Sequence, residues 1–145
     1  MTENKAIECL SCKSLNKEIS LSPGEIIYEG RYWQIEHAYP TEVRGWLVCV
    51  LKRHAEALHE VSTEEFAELH KLQTACVQAL HKELQCKKEY IACFAEGRGF
   101  NHIHIHIIAR SEDLTDDARG PKIFSLLGKT EHPIAPEEVA RICAK

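Results

Sequence analysis

Residues 101 to 108 read Asn-His-Ile-His-Ile-His-Ile-Ile, three histidines at strict two-residue spacing with isoleucine between them. Alternation this regular suits an extended strand, in which successive side chains point to opposite faces. His102, His104 and His106 then project one way, about 6 to 7 Å apart, while Ile103, Ile105 and Ile107 project the other. β-Branched isoleucine favours the strand and offers a face to bury in a core. The opposite face carries a row of imidazoles, which near neutral pH can bind phosphate, ligate a metal or act as nucleophiles.

The flanking sequence supplies elements for that strand to pack with. Glu25–Tyr28 and Tyr32–His37 predict a hairpin around Glu29-Gly30-Arg31, and the apolar run Trp46–Leu51 predicts a central strand. Ser62-Thr63-Glu64-Glu65 is a capping box, with Val61 and Phe66 placed for a hydrophobic staple. Behind it Phe66, Leu69, Leu72, Cys76, Val77, Leu80 and Leu84 recur at helical spacing to about Cys86. Tyr90–Ala95 reads as a strand, Glu96-Gly97-Arg98-Gly99 as a tight loop, and residues 102–109 as the histidine strand. A polar loop, an apolar patch at 123–127 and a terminal helix entered at Pro133–Glu138 come after it. The expected architecture is one α+β domain on an antiparallel sheet with one long helix. Its parts are an arm (1–23), a core (24–128) and a C-terminal helix (129–145).

At 145 residues the chain has room for one domain with a proper core. A net charge of -4 provides no basic field for a nucleic acid, although a nucleotide-sized anion can still bind locally. No apolar run approaches a membrane span and the N-terminus lacks a signal-peptide apolar region, so the expectation is a cytoplasmic protein with no membrane partner. The seven cysteines, an odd number, argue against a fully paired disulfide framework. Cys49, Cys76, Cys93 and Cys143 sit in apolar surroundings and read as small core residues, whereas Cys86 ends the helix without an evident partner. Cys9 and Cys12 form the one Cys-x-x-Cys pair, a pattern shared by zinc sites and redox motifs.

Two histidines at i and i+2 on a strand can also share an ion, as in cupin-like barrels, but the chain offers neither the further barrel strands nor a downstream carboxylate motif. His102-Ile-His104-Ile-His106-Ile-Ile resembles the His-x-His-x-His-x-x signature, with apolar x, of the histidine triad (HIT) superfamily. The segment from Arg44 to His54 (RGWLVCVLKRH) resembles the one these proteins place on a central strand ahead of their long helix. The helix entry at Leu58 to Glu65 and the glycine loop before the triad fall at the expected places. Ala109-Arg110 and Arg119-Gly120-Pro121 resemble the tail of a bacterial subgroup, so the likeness spans roughly residues 9 to 128.

The resemblance implies a HIT-like five-stranded antiparallel sheet and nucleotide chemistry at phosphorus. His104 would attack the α-phosphate of a nucleoside phosphoramidate or dinucleoside polyphosphate, giving a nucleotidyl-histidine that water resolves. His106 would contact the phosphate and, if protonated, stabilise developing charge. Backbone amides near Gly97 and Gly99 would add donors, and His37 lies near the family's ribose-binding position. Gly45-Trp46 stands where many members have a glycine-histidine pair, leaving Trp46 to pack the core or stack near the base. For the N-terminal pair the resemblance implies a structural zinc on Cys9, Cys12, His54 and His102, with no organic cofactor. It also implies a homodimer. The other functions in view are a phosphorylase or nucleotidylyltransferase of the same superfamily, and a non-catalytic nucleotide- or zinc-binding module. His59, His70, His81 and His132 read as solvated surface histidines.

Overall fold

A computed structural model describes residues 9–128 other than 18, 20, 22, 98, 113 and 115, together with residue 134. The expected C-terminal helix, the chain before Cys9, His132 and Cys143 lie outside the described residues. In chain order the elements are α1 (Leu10–Leu15), β1 (Tyr28–Glu29), β2 (Trp33–His37), β3 (Trp46–Leu51), α2 (Thr63–Leu84), β4 (Lys88–Ala92) and β5 (His104–Arg110). Short 3-10 segments cover Leu58–Glu60, Asp116–Ala118 and Gly120–Leu126. The strands form one five-stranded antiparallel sheet in the order β1-β2-β3-β5-β4, which places the histidine strand beside the central one. No described helix is long and apolar enough to cross a membrane.

Each face of the sheet has its own core. On one, Trp33, Ile35, Leu47, Cys49, Leu51, Ile105, Ile107 and Ala109 pack against Leu69, Cys76 and Leu80 of α2. These are the alternate positions of three adjacent strands, so the isoleucines of the histidine strand point into the helix-covered core, as period-two patterning requires. On the other face Trp46 and Ile108 pack with Ala38, Val43 and Ile123, under the 3-10 segment Gly120–Leu126. That segment is fastened to the loop after β2: Thr41 Oγ1 and the Glu42 amide both donate to the Leu126 carbonyl, each at 2.9 Å.

Several boundaries differ from the sequence pattern. β5 begins at His104, and His102 precedes it in a bend. β4 runs Lys88–Ala92 instead of 90–95; Ala95 takes a left-handed φ of 53° and turns the chain away. The arm contains the six-residue helix α1, capped by the Cys9 thiol accepting from the Cys12 amide. Phe66, the expected staple residue, is 41 % exposed.

α2 starts at the predicted capping box: the Ser62 amide donates to Glu65 Oε1 at 2.8 Å and the Glu65 amide to Ser62 Oγ at 3.1 Å. Both Glu65 oxygens also accept from Arg53, at 2.9 and 3.0 Å. One turn further, Glu68 accepts from the backbone amides of Arg31, Tyr32 and Trp33, all at 2.9 Å, and so holds the hairpin turn onto the helix. A Cβ at Gly30 would lie 2.7 Å from Glu68 Oε2, so the turn needs glycine for this approach.

The Arg53 hydrogen bonds, assisted by Ser62, hold the Glu65 carboxyl down at about 2, below its ordinary 4.5. A carboxyl depressed on folding contributes stability that is present above its ordinary pKa and lost as pH falls through the folded value. Urea denaturation between pH 5 and 2 (about the window of this shift) should therefore show stability falling with pH. Glu65→Gln should flatten that slope; an unchanged slope would mean that Glu65 does not drive the acid loss.

Candidate functional site

β2, β3 and β5 present Glu36, Val48, Val50, His104 and His106 to a cavity of about 490 Å³ on the face away from α2. The loop after β4 adds Phe94, Glu96 and Gly97, Phe100 precedes β5, and Phe124 comes from the 3-10 segment. Ser11 of α1 closes another part of the wall. The volume suits a small organic ligand, for which clefts of roughly 300–1,000 Å³ are usual.

The tautomers of the histidines are set by their fixed partners. His104 Nδ1 lies 2.7 Å from the His102 carbonyl. A carbonyl only accepts, so Nδ1 carries the proton and Nε2 keeps its lone pair. Burial lowers the pKa of His104, the hydrogen bond to His102 opposing it, so the neutral ring is favoured. His106 stands beside it with ring centroids 5.0 Å apart. The Trp46 indole donates to His106 Nδ1 at 3.0 Å, and burial, aided by His104, pushes His106 down to about 4. Trp46 itself is fully buried beneath the cavity, which rules out stacking on a base and gives it a polar contact besides its core packing.

His37 lines the cavity but both its nitrogens are engaged: Nδ1 meets the Ala38 carbonyl at 2.8 Å and Nε2 accepts from the Gly45 amide at 3.0 Å. No ring donor or acceptor is left for a ligand, and the ring is fully buried. Next to it, Glu36 lines the cavity with a carboxyl that has no hydrogen-bond partner among the described residues, and burial raises its pKa. Glu36 is a cavity residue that the sequence motifs do not single out. Its signal was the alternation of Gln34 and Glu36 with Trp33, Ile35 and His37, which puts the two polar residues on the cavity face.

The two loop glycines differ. Gly97 lines the cavity. Gly99 has a φ of 82°, a Cβ there would approach Leu10 Cδ1 to 2.8 Å, and its carbonyl accepts the Leu10 amide at 2.7 Å. Glycine at 99 therefore answers to backbone conformation and to the docking of α1.

The first triad histidine leaves the cavity face and joins a second cluster with Cys9, Cys12 and His54, whose ligand atoms all lie within 4.8 Å of one another. Cys9 Sγ lies 3.4 Å from His102 Nδ1, Cys12 Sγ 3.5 Å from the same atom and 3.2 Å from His54 Nδ1, and the two Nδ1 atoms are 3.3 Å apart. These are close to the edges of a tetrahedron around zinc, about 3.3–3.8 Å for bonds of about 2.0–2.3 Å. The far nitrogens donate outward, His102 Nε2 to the Leu51 carbonyl at 2.6 Å and His54 Nε2 to Glu56 at 2.9 Å. In the neutral form of both rings the inward Nδ1 atoms are bare lone pairs facing each other, an arrangement suited to a shared cation. Burial and the neighbouring Cys9 push the Cys12 thiol up to about 12, so ionising Cys12 also calls for a cation. The donor set can hold a metal.

Of the remaining histidines and cysteines, His59 and His70 are exposed. His81 is exposed too, though Nδ1 bonds the Cys86 carbonyl at 3.0 Å. Cys49 and Cys76 are buried in the core. Cys86 is buried and its thiol has a partner after all, Glu89 at 3.5 Å.

The HIT domain family model matches residues 21–113. Among solved structures the fold is similar to a Hit-like protein involved in cell-cycle regulation from Bartonella henselae, at 19% identity and TM-score 0.70 over 92% of this chain and 89% of that one. It is also similar to a zinc-bound histidine triad family protein from Mycobacterium smegmatis (19%, TM-score 0.66, 96% and 95%). A hypothetical histidine triad nucleotide-binding protein from Sulfolobus tokodaii is a third (20%, TM-score 0.67, 94% and 87%). A search of curated protein sequences finds no match.

Gly45, whose amide holds His37, has a φ of 82°, and a Cβ there would overlap Leu84 Cδ1 and stand 3.0 Å from Ala109 Cβ. Gly45→Ala should cost about 2–3 kcal/mol, combining left-handed strain with overpacking. Urea unfolding checks this, and a loss below about 0.5 kcal/mol would show that the α2 end yields freely.

Proposed function

Because this chain belongs to the HIT domain family, we propose that it hydrolyses nucleotides at the α-phosphate through a covalent intermediate on His104, with nucleoside phosphoramidates or dinucleoside polyphosphates as substrates. The observation that carries this reading is the 2.7 Å hydrogen bond from His104 Nδ1 to the His102 carbonyl. It keeps the proton on Nδ1 and the lone pair on Nε2, which is the form in which imidazole attacks. In the first step Nε2 forms a bond to phosphorus while the bond to the leaving group breaks with its electron pair. The charge gained by the ring is shared through Nδ1–H with the carbonyl. Water then attacks phosphorus, the N–P bond returns its electrons to Nε2, and a proton from the water balances the one taken up by the leaving group. The sum is one water consumed, with a nucleoside monophosphate and the protonated leaving group released.

The surrounding residues divide the rest of the binding. His106 contacts the phosphate, and backbone amides of the Gly97 loop add donors. The Glu36 carboxyl, on the cavity wall without a hydrogen-bond partner among the described residues, is the acceptor suited to ribose hydroxyls, a task for which His37 has no free nitrogen. Phe94 and Phe100 offer apolar surface to a base. The reading includes a two-fold dimer, supported by the exposed apolar side chains Ile91 on edge strand β4 and Phe94 just after it.

The second cluster is read as a structural zinc site, with Cys9, Cys12, His54 and His102 as ligands. When bound, the ion supplies charge neutralisation for two thiolates and a crosslink between α1 and the entry to β5.

Mixing with an adenosine 5′-phosphoramidate should give an adenylyl adduct by intact mass on the wild type and none on His104→Ala, with turnover falling about 10⁴-fold or more. Equal turnover by both proteins would sink the mechanism. Metal analysis should find about one zinc per chain, lost in Cys9→Ser/Cys12→Ser together with several degrees of Tm, and retained in His104→Ala/His106→Ala. Loss of the metal from the second variant would instead place it on the triad.

A further inference from the structure

We propose that Trp46 is a positioning residue that keeps His106 neutral and protonated on Nε2, so that His106 meets the phosphate as a hydrogen-bond donor and not as an imidazolium. This rests on the α-phosphate reading of the cavity and assigns the state in which one of its residues works.

The indole sets the constraint. Its N–H is a donor at every pH and never an acceptor. The 3.0 Å contact from Trp46 Nε1 therefore requires a lone pair on His106 Nδ1. A neutral imidazole has one proton, which must then sit on Nε2. Charging His106 would add a proton at Nδ1 and set two donors against each other in a buried place, leaving the indole N–H without a partner.

The packing gives the pair no easy way apart. Trp46 is fully buried and His106 nearly so. Val48 faces His106 across the β3–β5 ladder, and Trp46 stands two residues along β3 on the same face, the diagonal position. Phe124 wedges against both rings, 5.1 Å from the indole centroid and 4.9 Å from the imidazole, edge to face. On β4 the residue opposite His106 is Ala92. The titratable groups that share the cavity are His104 on β5, Glu36 and His37 on β2, Tyr39 in the loop after β2, and Glu96 after β4. His104, at 5.0 Å, opposes a charge on His106.

The consequence is a fixed donor. In the cavity, His106 Nε2–H is directed by a bond on the other side of its ring, so donation costs no reorganisation as phosphoryl charge develops. A second histidine in place of the indole could share a proton between rings; the indole cannot take one. Trp46 touches neither substrate nor reacting atoms in this arrangement and acts entirely through His106.

The test is ¹⁵N-histidine NMR of the full chain without substrate. Wild-type His106 should show a protonated Nε2 and a bare Nδ1, with no titration near about pH 6.5, and the Trp46 indole proton should exchange slowly. Trp46→Phe keeps an aromatic ring against Phe124 but removes the N–H. It should give mixed His106 tautomers, a midpoint moved toward the ordinary value and kcat about tenfold lower on an adenosine phosphoramidate, with KM little changed. His106→Gln, whose amide accepts from the indole and donates to the phosphate, should lose less activity than His106→Leu, expected to lose about 10²-fold or more. A wild-type His106 protonated on Nδ1, or titrating near about 6.5, would overturn the proposal. So would Trp46→Phe with wild-type tautomer and turnover. If that variant does not fold, the wild-type spectrum and the Gln–Leu comparison still decide. Absence of turnover in the wild type would overturn the hydrolase reading and leave the tautomer to the spectrum.

Discussion

His102 is the joint on which both clusters depend. Its carbonyl accepts from His104 Nδ1 and orients the proposed nucleophile. Its Nε2 donates to the Leu51 carbonyl, pinning the ring to the end of β3, and its Nδ1 faces Cys9, Cys12 and His54. The next residue continues the lock: the Ile103 amide donates to Ala55 and its carbonyl accepts from Leu51. A shift of this backbone would therefore disturb the N-terminal arm, the central strand and the cavity together. Placing one residue between a metal-type cluster and a catalytic-type cavity makes the geometry of the second hostage to the packing of the first.

The elements that patterning could read were those whose side chains obey one period. β3 matches the apolar run Trp46–Leu51, and α2 begins at the capping box because Ser62 and Glu65 satisfy its first amides locally. The Ile105 and Ile107 face was legible for the same reason. Period-two logic also put His102 in line with His104 and His106, and there it failed, because His102 sits in a bend before the ladder and answers to distant cysteines. α1 was invisible since six residues held by a thiol cap and by Gly99 carry no amphipathic stripe. The ligand set came from the family resemblance, not from spacing. The split roles of Gly97 and Gly99, and the spent nitrogens of His37, needed coordinates because hydrogen-bond partners lie across strands.

A common device runs through the buried histidines. Each has one nitrogen committed to a fixed neighbour: a carbonyl for His102 and His104, a carboxylate for His54, an indole for His106. His37 has both nitrogens committed. In His104 and His106 the other nitrogen is left in one defined state, a lone pair on the first and an N–H on the second. Five chemically identical rings thus become distinct by their neighbours, which is how a row that looks uniform in sequence can serve different ends.

The docking of α1 has a consequence for the thermodynamics of the cavity. Ser11 forms part of its wall, and the helix is held there through the Leu10–Gly99 contact and the Cys/His cluster. A cavity with a wall of this kind is complete only in the fraction of molecules whose α1 is seated. Ligand affinity is then the intrinsic affinity scaled by that fraction. Whatever tightens the cluster raises apparent affinity without touching the ligand, and a bound ligand strengthens the cluster by the same factor. Cluster and cavity are then two handles on one equilibrium.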